Sequence, residues 1–381
     1  MSEIVKVLHC ITSLTPDGAQ QMLYKVISQI DKNKFSTCVV NLRSAGIIGE
    51  ELKKLGVEVI DLGMKPGILS ISGIFKLATI IKNYKPQVLQ GWMYHSNLML
   101  FLVRLLFFFN IPLIFNIRKS IYKLRAESFL TQIIILIGAV CSRFVEKVIY
   151  CNHISFIQHK QLGYNKTNSI VIHNGFDLDK FKPRTDAPKL LREKLNLAQD
   201  VKIVGIVARF DPQKDYPNFL NAAKIVQQDN PNTHFVLIGR NVDHDNQELT
   251  SLINQLGLKK NIHLLGEQKD IPFYMNGFDV YCLSSSTEGF PNSLGEAMAC
   301  GIPCVSTSTG AVQEIIDVYG EIVPIQNSVA LAASIHKILN LPQNEYQTLK
   351  QKCVEQIRNK FSIENIAKDY YDLYQSLAKS S

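Results

Sequence analysis

Short β-type runs alternate with helical periodicities along almost the whole chain, and that rhythm leaves few folds open. Parallel strands joined by crossover helices are the arrangement it fits. In the first half the runs are Val5–Ile11, Thr37–Leu42, Val57–Leu62, Val88–Leu89, Leu113–Ile117, Val148–Cys151 and Ile170–Ile172. A polar, proline-bearing segment, Asp177–Lys189, interrupts the series and reads as an interdomain linker. The rhythm then restarts with Lys202–Val207, His234–Ile238, Ile262–Leu265, Val280–Leu283, Pro303–Ser306 and Glu321–Val323. The expected fold class is α/β, with two Rossmann-like doubly wound domains spanning 1–180 and 190–362. In the tail, Ile366, Tyr370, Leu373 and Leu377 share one helical face, so the 363–381 helix is expected to pack back on the first domain. At 381 residues the chain is long enough for two full cores.

The stretch Glu288–Glu296, E-G-F-P-N-S-L-G-E, sets two carboxylates around the junction of a strand's C-terminal end and a following helix. In open α/β sheets ligands collect in the crevice at such strand ends, and helix N-termini attract phosphate. Carboxylates do not attract phosphate, so Glu288 is expected to accept hydrogen bonds from a sugar and Glu296 from a ribose diol. The loop Gly289, Phe290, Pro291 and Asn292 is shaped for close backbone approach. Ser293, Leu294, Gly295 and Glu296 also read as a capping box, which leaves a purely structural role open for Glu296.

After the Lys202–Val207 run comes A-R-F-D-P-Q-K, which places Arg209 and Lys214 at a strand end. A planar guanidinium fork and a mobile ammonium suit a pyrophosphate. In the first half, Gly18 follows Pro16-Asp17 ahead of a helix and gives backbone amides room to approach an anion. His95, in G-W-M-Y-H-S-N, follows the Val88–Leu89 run and is expected at the crevice edge, touching acceptor or sugar. The pair Asn174-Gly175 reads as a turn. No G-x-G-x-x-G is present, which argues against a nicotinamide dehydrogenase.

Composition excludes other classes. Eight scattered cysteines without zinc spacing read as reduced thiols of a cytoplasmic protein, and the first residues lack a signal-peptide pattern. The apolar runs Leu98–Phe109 and Phe129–Val140 are short for a membrane span and read as buried helices. From Leu62 through Ala126 there is no Asp or Glu, against nine Lys and Arg. Such a field attracts anionic partners, and Arg118, Lys119, Lys123 and Arg125 form its tightest cluster. Asp243-His244-Asp245 lies on a polar loop and is not read as a metal site.

With these residues assembled, the chain resembles a retaining glycosyltransferase of family 4, the glycosyl transferases group 1, whose GT-B fold sets two Rossmann-like domains across a cleft. The resemblance is carried by A-R-F-D-P-Q-K-D, E-G-F-P-N-S-L-G-E-A-M-A-C-G-I-P-C-V and T-G-A-V-Q-E, and more loosely by G-W-M-Y-H-S-N, F-N-I-R-K-S and I-H-N-G-F-D. It implies that Arg209 and Lys214 hold the donor pyrophosphate, Glu296 the ribose and Glu288 the transferred sugar, with His95 near the reaction centre. Two loops depart from the family pattern, since Gly18 and Gly310 each stand alone where two glycines are frequent. The implied co-substrate is a nucleoside-diphosphate sugar, a UDP-sugar, and no metal cofactor is expected because two cations already face the leaving group. The implied acceptor is a glycan or lipid-diphosphate-linked glycan, met at the cytoplasmic face of an anionic membrane through the basic cluster, with no nucleic acid partner. A sugar-nucleotide epimerase or phosphorylase of the same layout, or a non-enzymatic basic protein binding membrane or nucleic acid, are the competing readings.

Overall fold

The structure, a computed structural model, describes residues 4–44, 46–65 and 70–379. It divides into two compact units: unit 1 runs to Gly175 and resumes at Ile363, and unit 2 is Phe176–Ser362.

Unit 1 carries β1 (Val5–Ile11), β2 (Phe35–Asn41), β3 (Glu58–Asp61), β4 (Val88–Trp92), β5 (Leu113–Ile117), β6 (Lys147–Tyr150) and β7 (Ser169–Val171). They form one parallel sheet in the order β3-β2-β1-β4-β5-β6-β7. Both faces are covered, one by the helices Gly18–Ser28 and Ile363–Ala378, the other by Ile71–Tyr84, Tyr94–Phe107 and Phe129–Cys141. The order reverses between β1 and β4, and at such a switch point the loops leaving the two strands diverge and open a crevice. β4 extends three residues beyond its sequence-based end because Gln90 and Gly91, polar or small, are nonetheless buried, and Gly91 lies against Asn97 where a Cβ would collide.

The tail helix belongs to unit 1. Tyr370 and Tyr374 are fully buried, Tyr370 stacks on Trp92, and the Tyr374 hydroxyl donates to Gln90. Burying aromatic rings whose hydroxyls also find partners is what ties this distant segment to the sheet.

Two helices expected to be buried are only half so. The Tyr94–Phe107 helix is buried as far as Arg104, after which Leu105, Leu106 and Phe107 are exposed. The Phe129–Cys141 helix buries Ile134, Ile135, Gly138 and Ala139 but exposes Phe129, Leu130, Ile133, Leu136, Ile137 and Val140. The sheet covers only one side of it, and hydrophobicity all round does not bring a second neighbour. Among the described residues no helix is long and apolar enough to cross a membrane.

Unit 2 repeats the plan with β8 (Lys202–Val207), β9 (Thr233–Ile238), β10 (Ile262–Leu264), β11 (Val280–Leu283), β12 (Cys304–Thr307) and β13 (Gly320–Val323). Their parallel order, β10-β9-β8-β11-β12-β13, reverses between β8 and β11. The segment Asp177–Lys189 is not a free linker. Phe181 is buried, the Arg184 amide donates to Asn276 Oδ1 at 2.7 Å, and Asn276 Nδ2 donates to the Lys182 carbonyl at 3.0 Å, so one asparagine straps the proline-rich stretch to unit 2. All eight cysteines are buried, and none is in a disulfide.

Candidate functional site

The reversal of strand order in unit 2 brings together residues far apart in sequence. β8 ends at Val207 and leads through Ala208–Asp211 into a single 3-10 turn, Pro212–Lys214; β11 ends at Leu283 and leads through Ser284–Pro291 into the Asn292–Ala299 helix. The two loops are laced to each other. Ser284 Oγ donates to the Lys214 carbonyl at 2.7 Å, and the Ser286 amide to the Gln213 carbonyl at 2.8 Å. Across that seam Lys214 Nζ meets Glu288 Oε1 at 2.6 Å, and Ser285 Oγ donates to the same oxygen at 2.7 Å. The Lys214 and Glu288 side chains are only 18% and 11% exposed.

This pair makes a carboxylate compatible with a bound anion. An ammonium has three protons, so one directed at Glu288 leaves others for a phosphate oxygen, while the cation offsets the repulsion the carboxylate would exert on an anion. Arg209 is 44% exposed and its Nε donates to Asp211 Oδ2 at 3.2 Å. Burial pushes the Asp211 carboxyl up, but the Gln213 amide and the Arg209 guanidinium outweigh it and hold the carboxyl below its ordinary range. Asp211 therefore stays ionised at neutral pH and orients Arg209 at the end of β8.

The loop carrying Glu288 is held from below. Thr307 Oγ1 donates to the Ser285 carbonyl, and the Ala311 amide to the Gly289 carbonyl. Gly310 sits at φ +50° against the Gly289 and Glu288 carbonyls, where a Cβ would lie 2.4 and 2.6 Å from their oxygens. A single glycine makes that approach possible, and Thr309 and Ala311 beside it are buried.

The capping box does not form. The helix begins at Asn292 with Pro291 as N-cap, so Ser293 is already inside it and receives a hydrogen bond from the Tyr281 hydroxyl at 2.7 Å. Glu296 is consequently the fifth helical residue, beyond the first turn where the sequence suggests it, and it is partly exposed. Phe290, Pro291, Leu294 and Gly295 are buried, and Gly295 lies against the Phe176 ring where a Cβ would clash, so they shape the loop from inside.

Unit 1 has its own strand-end residues. Gly18 is exposed and opens the Gly18–Ser28 helix after β1, and His95 is the second residue of the Tyr94–Phe107 helix after β4. The loops meet where Thr12 Oγ1 and Ser96 Oγ lie 3.0 Å apart. Met93, just ahead of His95, has φ +70°, a conformation L side chains rarely adopt and one that costs on the order of 1–3 kcal/mol. Burial, with the nearby Arg43 charge, pushes the His95 imidazole down from its ordinary value and keeps it neutral at physiological pH.

The basic cluster disperses on folding. Arg118 turns inward, donating to the Ile172 carbonyl at 2.8 Å, the Tyr370 hydroxyl at 3.1 Å and Asn174 Oδ1. Lys119 pairs with Glu127 at 2.6 Å. Lys123 and Arg125 remain exposed. Sequence alternation cannot show that Arg118 is claimed by a tail residue 252 positions away. Sequence reasoning also missed Ser284, Ser285, Ser286 and Met93; a run of three serines directly after a strand was the available signal for the first three.

Residues 189–360 match the glycosyl transferases group 1 family. The match lies within the second unit. Among curated relatives of this chain, the UDP-Gal:alpha-D-GlcNAc-diphosphoundecaprenol alpha-1,3-galactosyltransferase of Escherichia coli is 28% identical over 228 residues, 56% of either chain. The N,N'-diacetylbacillosaminyl-diphospho-undecaprenol alpha-1,3-N-acetylgalactosaminyltransferase of Campylobacter jejuni is 24% identical over 346 residues, 87% of this chain and 89% of that protein. Across the three relatives that head the comparison, the chain spans 56% to 60% of their length. The crystal structure of Anabaena HepE in complex with UDP superposes with a TM-score of 0.86 at 22% identity, covering 98% of this chain and all of that one. The likeness shows the fold, two Rossmann-like units of the GT-B type.

Proposed function

We propose that the chain is a retaining, metal-independent glycosyltransferase that moves a hexosyl or N-acetylhexosaminyl group from a UDP-sugar to a lipid-diphosphate-linked glycan in surface polysaccharide synthesis. The observation that carries this reading is the Lys214–Glu288 contact at the strand ends of unit 2, with Arg209 beside it. The donor and acceptor classes are supported by the names of relatives that use UDP-galactose and undecaprenyl-diphosphate glycans.

In this assignment Arg209 and Lys214 hold the donor diphosphate, Glu296 the ribose diol and Glu288 the hydroxyls of the transferred sugar. The helix-start loops after β1 and β4, with Gly18 and neutral His95, serve acceptor and sugar. As the bond from the anomeric carbon to the diphosphate oxygen breaks, its electron pair leaves with the diphosphate, whose growing charge meets the two cations. The acceptor oxygen bonds to that carbon on the same face, and its proton passes to the departing diphosphate oxygen. Charge stabilisation of this kind is what a divalent ion supplies elsewhere, so none is needed here.

The test combines purified protein, a panel of UDP-sugars and a short-chain lipid-diphosphate glycan. UDP release that requires acceptor, an α-configured product from an α-donor, and equal rates with and without chelator are expected. Donor epimerisation without acceptor would mark an epimerase, phosphate-dependent cleavage a phosphorylase, and absence of nucleotide binding would end the reading.

A further inference from the structure

We infer that unit 1 docks on an anionic lipid bilayer through the exposed apolar face of the Phe129–Cys141 helix together with the end of the Tyr94–Phe107 helix. The basic cluster Arg118–Arg125 is not the principal contact. This deepens the membrane-linked acceptor reading proposed above and rests on it only for its purpose, since the surface itself is independent of the donor site.

Phe129, Leu130, Ile133, Leu136, Ile137 and Val140 occupy one side of the helix, while Ile134, Ile135, Gly138 and Ala139 on the other meet the core. That helix contains no charged residue. The face continues beyond the helix. Val140 and Phe144 line, with Leu105, Phe109 and Phe101, an apolar cavity of about 300 Å³ that has the buried Arg104 in its wall. Phe107 in turn touches Phe75, ring centroids 5.9 Å apart, and Phe75 is exposed on the Ile71–Tyr84 helix. Phe129, Phe109 and Phe144 are 78%, 68% and 64% exposed. At roughly 150–250 Å² for a whole aromatic side chain, these three alone match the roughly 300–600 Å² of the largest apolar patch on an ordinary monomer.

The tip is held rigidly outward. Arg104 donates to the Ile111 and Phe144 carbonyls at 2.8 and 2.7 Å and pairs with Glu146 at 2.7 Å, while its guanidinium lies 5.6 Å from the Phe109 ring. The exposed phenylalanines therefore hang on a half-buried ion pair that holds the turn in place.

Charge decides the occupant. Between residues 62 and 145 the sequence has a single carboxylate, Glu127, and it pairs with Lys119. Lys76, Lys123, Arg125 and Arg143 are exposed on the segments that carry or flank the apolar face. A second copy meeting this face on a two-fold axis would set like charges against each other, whereas an anionic leaflet accepts apolar side chains and attracts the cations around them. The cavity beneath then takes a hydrocarbon chain from that leaflet.

Flotation with phosphatidylcholine vesicles, and with the same lipid mixed with phosphatidylglycerol, tests this on the full chain. The protein is expected to float with the anionic vesicles and to retain part of that binding at high salt, because apolar insertion is not screened. L136E/V140E, at exposed positions, is expected to weaken partition roughly tenfold or more, with circular dichroism and UDP affinity unchanged. In a second measurement, Leu136→Trp should give emission that shifts to the blue and is quenched by brominated lipid, against the constant background of buried Trp92. Equal partition of L136E/V140E and wild type would overturn the inference, as would sedimentation showing a dimer that L136E/V140E disperses without any vesicle binding. Retained UDP binding with lost flotation separates failure of this surface from failure of the donor site.

Discussion

Replacing Lys214 by Met and Glu288 by Gln, singly and together, distinguishes a donor-binding lysine from one that merely satisfies a carboxylate. At 2.6 Å, and with an effective dielectric constant near 20, the Coulomb attraction is about 6 kcal/mol, most of it offset by desolvation of both groups. Removing one partner of a fully buried pair costs about 3–5 kcal/mol; side chains still 11% and 18% exposed lower that to roughly 2–3 kcal/mol for Lys214→Met. The double variant, with both charges gone, should recover most of the lost stability. UDP binding should behave differently. A charged hydrogen bond to phosphate contributes about 1.5–3 kcal/mol, so Lys214→Met should raise the UDP Kd by one to two decades. Glu288→Gln releases Lys214 from its partner, leaving UDP binding equal or tighter while turnover falls. Urea unfolding gives the first comparison and isothermal titration with UDP the second. A Lys214→Met protein that binds UDP as wild type does, or a Glu288→Gln protein weakened as much as Lys214→Met, refutes the reasoning.

Glu296→Gln should weaken UDP binding by about tenfold, the loss of one charged hydrogen bond, and should move the melting temperature far less than Lys214→Met does, because the amide keeps the carboxylate's shape and an acceptor oxygen; titration and calorimetry compare the two. Gly310→Ala forces a Cβ into the Gly289 and Glu288 carbonyls at positive φ, so it should cost at least about 1–2 kcal/mol and reduce turnover more than UDP affinity; a fully active variant would show that the loop relaxes freely. Acid should unfold unit 1 through its buried histidines. Burial pushes His9 down to about 3 and His159 to about 4 from an ordinary 6.5, and both accept hydrogen bonds as neutral rings, from Trp92 Nε1 and the Tyr94 hydroxyl. The unfolded chain binds more protons in that window, so stability is complete above pH 6.5 and falls by about 1.4 kcal/mol per pH unit for each group towards pH 4. A urea midpoint that stays flat from pH 7 to 4.5 would contradict this.

Much of the fold was legible because its signals are local. Short apolar runs such as β1, β5, β8 and β11 stand out by composition, and the helical spacing of Ile366 and Tyr370 marks a tail face that the structure buries in unit 1. Chemical type and position after a strand were likewise enough to select Arg209, Lys214 and Glu288 as candidates. What they do to one another was decided by topology. Lys214 and Glu288 are 74 positions apart and meet only because β8 and β11 are neighbours at the reversal of strand order, where two loops leave in opposite directions from one sheet edge. Tertiary structure also drew Arg118 into the tail's hydrogen-bond network and left one side of the Phe129–Cys141 helix bare. Periodicity reports that a side chain is apolar or charged, but whether a neighbour comes to cover or claim it depends on how much of each element the sheet and its packed helices reach.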